Sequence, residues 1–139
     1  MLRIKIGRRA VVGLVGLAFM AALVAPTAFG HRSLTPAPMI GTKPATKAQL
    51  AAGKTLFVAT CSACHTLKAA GALGNIGPVL DKVPLPEATL IKAITKGGSS
   101  VMTKAAIAKY TTQMVPYGTT LKALQINEIA AYIYSVTHK

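Results

Sequence analysis

An all-α fold is the fold class that this 139-residue chain predicts. Two stretches, 46–61 and 124–137, carry apolar residues at the spacing of an amphipathic helix. No stretch shows the alternating pattern of a convincing strand, and no internal repeat is present. The length allows one domain, so we expect roughly three to five helices that share a single core.

The first predicted helix begins at Thr46, because Thr46 and Gln49 form the spacing of a capping box. Leu50, Gly53 and Phe57 then recur at helical intervals. Glycine inside a helix costs about 1 kcal/mol relative to alanine. Its presence at position 53 therefore predicts that another backbone packs closely over this helix.

The middle of the chain alternates loops with short helices. Residues 69–77 are small and Gly-rich, which is typical of a loop. Glu87 stands in the first turn of a short predicted helix that stops at the glycine pair beginning with Gly97. A further helical piece is expected within 101–110, and 113–118 is expected to be a loop.

The last predicted helix runs from about residue 124 to residue 137. It carries an apolar stripe at helical spacing, with Tyr132 beside it, formed by Ile126, Ile129, Ile133 and Val136. This stripe predicts that one face of the helix packs into the core.

The motif Cys61-Ser62-Ala63-Cys64-His65 carries the chemistry of the chain. The pattern C-x-x-C-H indicates a c-type haem attachment site. Two thiols can add across the two vinyl groups of a haem, and the histidine can reach the iron as proximal ligand. On a helix, positions 61, 64 and 65 share one face.

Two other interpretations of this motif have less support. A thioredoxin-like disulfide needs a βαβ context, and no alternating β-branched run flanks the motif. A zinc site needs further ligands at paired spacing. The chain has two cysteines, and its other histidines are His31 and His138, far from the motif in sequence.

The N-terminal thirty residues resemble a targeting segment. A basic start that includes Arg3 and Arg9 precedes an uncharged stretch, 10–30, which ends in Ala28-Phe29-Gly30. This layout predicts a signal peptide, 1–30, cleaved after Gly30. The alternative is an uncleaved membrane anchor, because the uncharged stretch is nearly long enough to span a bilayer. Both interpretations place the protein in the periplasm or facing outward, either soluble or N-terminally anchored.

The remaining chain divides into a linker and a domain. Residues 31–45 contain three prolines and are expected to form an irregular leader. Residues 46–139 form the predicted domain. The division is therefore a signal peptide or anchor, a Pro-rich linker, and one haem domain.

The charge balance is strongly basic: the whole chain has a net charge of +13, and the part from His31 onward, with 12 lysines and arginines against three acids, has +9. Such a surface favours acidic redox partners and steers their approach, with exposed lysines such as Lys68, Lys82 and Lys104 as candidates for docking. Nucleic acid is not expected, since no basic stretch is interleaved with aromatic residues. The chain has three acids and neither paired carboxylates nor a Ser-His-Asp set, so no enzyme activity of its own is expected.

A haem iron in an electron-transfer protein usually takes a second protein ligand. The terminal histidines and Met39, in the Pro-rich leader, are poorly placed for this role. Met102 and Met114 remain as candidates. Either one alone is also compatible with a core methionine.

The sequence resembles the class I cytochromes c. In that family C-x-x-C-H is followed by Gly-Pro-x-Leu, and this chain has Gly77-Pro78-Val79-Leu80. The resemblance implies that the Pro78 carbonyl accepts a hydrogen bond from His65, which holds the ring and raises its basicity. The family also has a glycine and an aromatic on the first helix that cross an aromatic on the last. Gly53, Phe57 and Tyr132 match this arrangement.

The segment Met114-Val115-Pro116-Tyr117-Gly118 is similar to the methionine motif of the family, with Val115 in place of a proline. The resemblance therefore favours Met114 over Met102 as the sixth ligand. A tryptophan that binds a haem propionate in some members is missing, because the chain has none.

The resemblance implies a cytochrome c fold wrapped around one covalently attached haem c. Its cofactor-binding residues would be Cys61, Cys64, His65, Pro78 and Met114, with His65 and Met114 as iron ligands. The implied function is a periplasmic one-electron carrier. One alternative is a haem c subunit or tethered module of a larger oxidoreductase complex. Another is a haem sensor or peroxidase, which would need an open sixth position.

Overall fold

A computed structural model describes residues 36–139 of the chain. The predicted signal segment and the start of the linker, residues 31–35, lie outside the described residues. The described residues contain four α-helices, three short 3-10 helices and four two-residue strands, so the all-α prediction is confirmed. In chain order the strands and α-helices are β1 (Met39–Ile40), β2 (Lys43–Pro44), α1 (Lys47–Thr60), β3 (Thr66–Leu67), β4 (Ala72–Leu73), α2 (Glu87–Lys96), α3 (Lys104–Ile107) and α4 (Ala123–Thr137).

Helix α1 begins where its capping box predicts. The Gln49 amide nitrogen donates to the Thr46 hydroxyl at 3.2 Å, and the Thr46 amide nitrogen donates to the Gln49 side-chain oxygen at 3.0 Å. These two bonds satisfy donors that the first helical turn leaves without partners. The start of the helix is therefore fixed by local sequence.

Helices α1 and α4 pack directly against each other, and Gly53 lies at their contact. A Cβ atom on Gly53 would collide with the backbone carbonyl of Glu128 and lie 2.9 Å from the Tyr132 Cβ. The rings of Phe57 and Tyr132 lie 6.3 Å apart and are tilted by 57°. The predicted close approach of a second backbone at Gly53 is confirmed.

The core lies where α1, α2 and α4 meet. Phe57, Leu67 and Ile129 are fully buried there. Helix α2 also packs against α4 and buries Leu90 and Ile94. The interior therefore receives apolar side chains from three helices and from the loop after α1.

Two local details differ from the sequence expectations. Four short strands form the antiparallel pairs β1–β2 and β3–β4, although no strand was expected. Two-residue strands carry too few positions to show an alternating pattern. The helical piece expected within 101–110 is limited to α3, which Thr103 caps by accepting a hydrogen bond from the Ala106 amide at 3.2 Å.

Part of the predicted irregular leader is ordered against the domain. The β1–β2 hairpin contacts α4, and the Met39 amide nitrogen donates to Glu87 Oε2 at 2.8 Å. Glu87 Oε1 is buried and has no hydrogen-bond partner among the described residues. Glu87 therefore joins the hairpin to the start of α2. None of the helices within residues 36–139 has the length and apolar content needed to cross a membrane.

Burial raises the pKa of Glu87 above its ordinary value of 4.5, and the Met39 hydrogen bond offsets part of that effect. The folded state therefore holds its proton to higher pH than the unfolded state does. It follows that stability decreases as pH rises through the interval between the two pKa values.

We expect Glu87→Gln to be at least as stable as the wild type at pH 7 and to lose this pH dependence, because it keeps an acceptor without the charge. Glu87→Ala removes the acceptor and is expected to cost about 1 kcal/mol. Urea unfolding at several pH values between 4 and 7 measures both effects. The same pH profile in Glu87→Gln and wild type would contradict the assignment.

Candidate functional site

The C-x-x-C-H motif lies in a turn that directly follows α1. The helix ends at Thr60, so the motif is not on the helix itself, which corrects the expectation from sequence. The chain continues in a helical sense, because the Cys64 and His65 amides donate to the Cys61 carbonyl at 3.1 and 3.0 Å. The spacing that brings the three side chains together is therefore kept.

All five predicted site residues line one cavity. Cys61, Cys64, His65, Pro78 and Met114 surround a space of about 580 Å³, and Met102 lines it too. This volume lies within the range of cofactor sites, which are mostly apolar with a few placed polar groups. Most of the lining is apolar and includes Phe57, Ile76, Leu80, Leu85, Leu90, Ile94, Val101 and Ile133.

The His65 ring is oriented by the loop that follows the motif. His65 Nδ1 lies 3.0 Å from the Pro78 carbonyl oxygen, a distance at which the ring N–H donates to the carbonyl. Because Nδ1 is engaged, Nε2 is the ring nitrogen that can bind a metal. A Cβ on Gly77 would lie 2.6 Å from His65 Cε1, so only glycine allows the backbone this close to the ring.

Two further contacts fix the same loop, and sequence reasoning did not identify them. The Gly77 amide donates to the Cys64 carbonyl at 2.8 Å, and the Thr66 hydroxyl donates to the Gly74 carbonyl at 2.6 Å. In the sequence these glycines indicate only a flexible loop. Their role depends on contacts with the motif that local pattern does not reveal.

The two cysteines are not joined in a disulfide, and Cys61 is buried. Burial, reinforced by the neighbouring Cys64, raises the pKa of the Cys61 thiol to about 11. Redox-active thiols of the thioredoxin kind have lowered pKa values. The raised pKa of Cys61 is therefore the opposite of what a redox-active thiol shows. Within residues 36–139, no three His, Cys, Asp or Glu side chains come together closely enough to bind a metal ion by themselves.

Two thioethers reach the cavity. The sulfur atoms of Met102 and Met114 lie 3.8 and 3.9 Å from the point where a Cβ on Gly98 would stand. Position alone therefore does not separate the two candidates. Their backbone surroundings differ, however, since the Met114 carbonyl accepts a hydrogen bond from the Gly98 amide at 3.2 Å.

The lysine in the cavity lining is not one of those that the sequence analysis singled out for docking. The candidate docking lysines Lys68, Lys82 and Lys104 do not line the cavity, whereas Lys109 does. Among the described residues, Lys109 is the lysine that lines the cavity. Its sequence context, inside a weakly patterned stretch, gave no signal of this position.

The residues present fit a covalently bound haem. A largely apolar cavity of suitable volume carries two thiols, an oriented imidazole with a free Nε2, and thioether sulfurs. These are the groups that attach haem c and ligate its iron.

Comparison with known proteins agrees with this geometry. The profile of the family described as "Cytochrome C oxidase, cbb3-type, subunit III" matches residues 48–133. The crystal structure of the c-type cytochrome SorU from Sinorhizobium meliloti is similar, with a TM-score of 0.52 and 26% sequence identity. That match covers 68% of this chain and 97% of SorU. No curated protein is similar enough to count as a relative.

The family profile covers more than half of the chain, and both the fold and the composition of the cavity agree with it. The chain therefore belongs to the family described as cytochrome c oxidase, cbb3-type, subunit III, and is a class I c-type cytochrome that carries electrons.

Proposed function

We propose that this protein is a periplasmic monohaem cytochrome in which Cys61 and Cys64 hold haem c and His65 and Met114 ligate its iron. The observation that carries the proposal is the convergence of these four side chains on one largely apolar cavity. When bound, haem c supplies a one-electron Fe(III)/Fe(II) couple, and His/Met ligation raises its potential.

The chain's own residues prepare this site. The Pro78 carbonyl accepts the His65 Nδ1 proton, which fixes the ring and makes Nε2 a better ligand. The apolar wall limits water around the site, which helps to set the redox potential. With the Met114 thioether and the His65 imidazole both bound to the iron, small substrates would find no open position on it. An electron carrier is therefore favoured over a sensor or peroxidase.

We expect Met114→Ala to lose the weak ferric absorption band of a sulfur–iron bond. Its midpoint potential should fall by about 0.1 V or more, a fraction of the roughly 0.8 V over which axial ligands set haem potentials. Met102→Ala is the matched control, because Met102 lines the same cavity. It should keep the band. The reverse pattern would make Met102 the ligand, and loss of the band in neither single variant would contradict both assignments.

The surface around the cavity suits docking by redox partners that carry acidic faces. Ile76, Val83 and Val115 line the cavity yet are 45%, 43% and 59% exposed. Together they form an apolar rim on a chain whose net charge from His31 onward is +9, from 12 lysines and arginines against three acids. Such a rim can bury area on contact, while the basic charge steers the encounter. Partner reduction rates that do not change with salt would contradict steering.

The proposed location rests on the N-terminal layout and on the family. A basic start followed by an uncharged stretch predicts export, and c-type cytochromes are typically extracytoplasmic. A second candidate function is a haem c subunit of a larger oxidoreductase, which the description of the matched family favours. Co-purification from membrane and periplasmic fractions separates a subunit from a free carrier.

A further inference from the structure

The loop that carries Met114 is attached to the end of α2. Residues 114–118 form no helix or strand. The last four carbonyls of a helix have no partner within the helix. Two carbonyls in the last turn of α2 accept hydrogen bonds from this loop instead: Ile94 from the Tyr117 amide at 2.9 Å, and Thr95 from the Gly118 amide at 3.1 Å.

The glycine pair after α2 holds the other end of the loop. Gly97 has a φ of +87°, a conformation that side chains disfavour, and a Cβ there would lie 2.8 Å from the Met114 carbonyl oxygen. The Gly98 amide donates to that same carbonyl at 3.2 Å. A Cβ on Gly98 would lie 3.1 Å from the Met114 Cβ, which is too close for an unchanged position.

The crowding at Gly98 is directed at Met114. The Met102 sulfur would lie 3.8 Å from the same Cβ, which is an ordinary van der Waals contact. A methyl group at position 98 would therefore force Met114 to shift by a few tenths of an ångström and leave Met102 in place. The absence of a side chain at this position is a condition for the observed Met114 placement.

We propose that Gly97 and Gly98, with the Ile94 and Thr95 carbonyls, form a clamp that holds Met114 in place and keeps the sixth iron position closed to small ligands. We name these four residues the α2 clamp, and Gly98 is its positioning residue. This inference rests on the proposed function, because it takes Met114 as the sixth ligand. It adds that contacts of the Met114 backbone, and not only the identity of its side chain, set the strength of ligation.

The test measures imidazole binding to the purified ferric haem protein, and the absorption spectrum of the haem reports the binding. Gly98→Ala is expected to bind imidazole about tenfold more tightly than wild type, because a displaced Met114 competes less well for the iron. Ser99→Ala is the matched control, since Ser99 is the exposed neighbour in the chain. It should bind imidazole as the wild type does.

A double-variant cycle separates positioning from a general loss of structure. In a Met114→Ala background, Gly98→Ala should change imidazole affinity no further, because the thioether through which the substitution acts has been removed. An undiminished effect in that background would overturn the proposal. If Gly98→Ala does not fold, Gly118→Ala tests the other end of the clamp, because its Cβ would lie 2.8 Å from the Thr95 carbonyl oxygen.

The outcomes also distinguish the clamp from the proposed function. A wild-type protein with a sulfur–iron band, whose Gly98→Ala and Gly118→Ala variants bind imidazole as it does, overturns the clamp alone. A wild-type protein without that band contradicts both.

Discussion

Gly53→Ala is expected to lower the free energy of unfolding by about 2 kcal/mol, and Gly53→Val by more than about 3 kcal/mol. The added Cβ would collide with the Glu128 carbonyl and approach the Tyr132 Cβ at 2.9 Å. Backbone lies on both sides of this contact, so neither helix can yield by changing a rotamer. Alanine gains about 1 kcal/mol of helix propensity over glycine, which offsets only part of the strain.

Thermal and urea unfolding of the haem protein, followed by circular dichroism, measure this loss. Lys54→Ala is the control, because Lys54 is the exposed neighbour on the same helix and its change should stay within about 0.5 kcal/mol. A Gly53→Ala variant as stable as the wild type would show that α1 and α4 can separate at no cost. The close packing of these helices would then not contribute to stability.

The second large effect is expected at the attachment site. A variant with both Cys61→Ala and Cys64→Ala should lose covalent haem entirely, because these are the chain's two cysteines. Both thiols line the cavity, so each single variant should keep one thioether. The double variant should also unfold at lower temperature, because a cofactor that dissociates stabilises only according to its free concentration.

Extraction into acidified organic solvent, followed by mass spectrometry of the polypeptide, distinguishes these cases. The wild type should retain haem mass on the chain, and the double variant should release all of it. Ala63→Ser is the control, since Ala63 is exposed between the two cysteines and should not affect attachment. Haem mass that stays on the double variant, or a wild type without haem, would refute covalent attachment at this motif.

The features that could be predicted from sequence are those that depend on local pattern. The capping box at Thr46, the stop near Gly97 and the stripe of α4 each arise within a few residues, and the structure has them where they were expected. Gly53 was informative for another reason. A costly glycine inside a helix needs a compensating contact, and that contact could be predicted before its partner was known.

The contacts that could not be predicted join residues far apart in the chain. Gly98 matters because of Met114, and Glu87 matters because of Met39. No spacing rule relates the two members of a pair, because helices and loops of variable length lie between them. For the same reason the sequence does not predict that Lys109 lines the cavity. Its position there depends on the path of the chain after α3.

The acceptor for the His65 ring is a main-chain oxygen, that of Pro78. A substitution at position 78 changes the side chain but cannot delete that oxygen, so this acceptor of the His65 proton persists whatever side chain stands there. Each of the two proposed iron ligands also has a glycine packed against it: Gly77 against the His65 ring and Gly98 against Met114. Substitutions at either glycine should therefore tune the electron affinity of the proposed haem without removing a ligand.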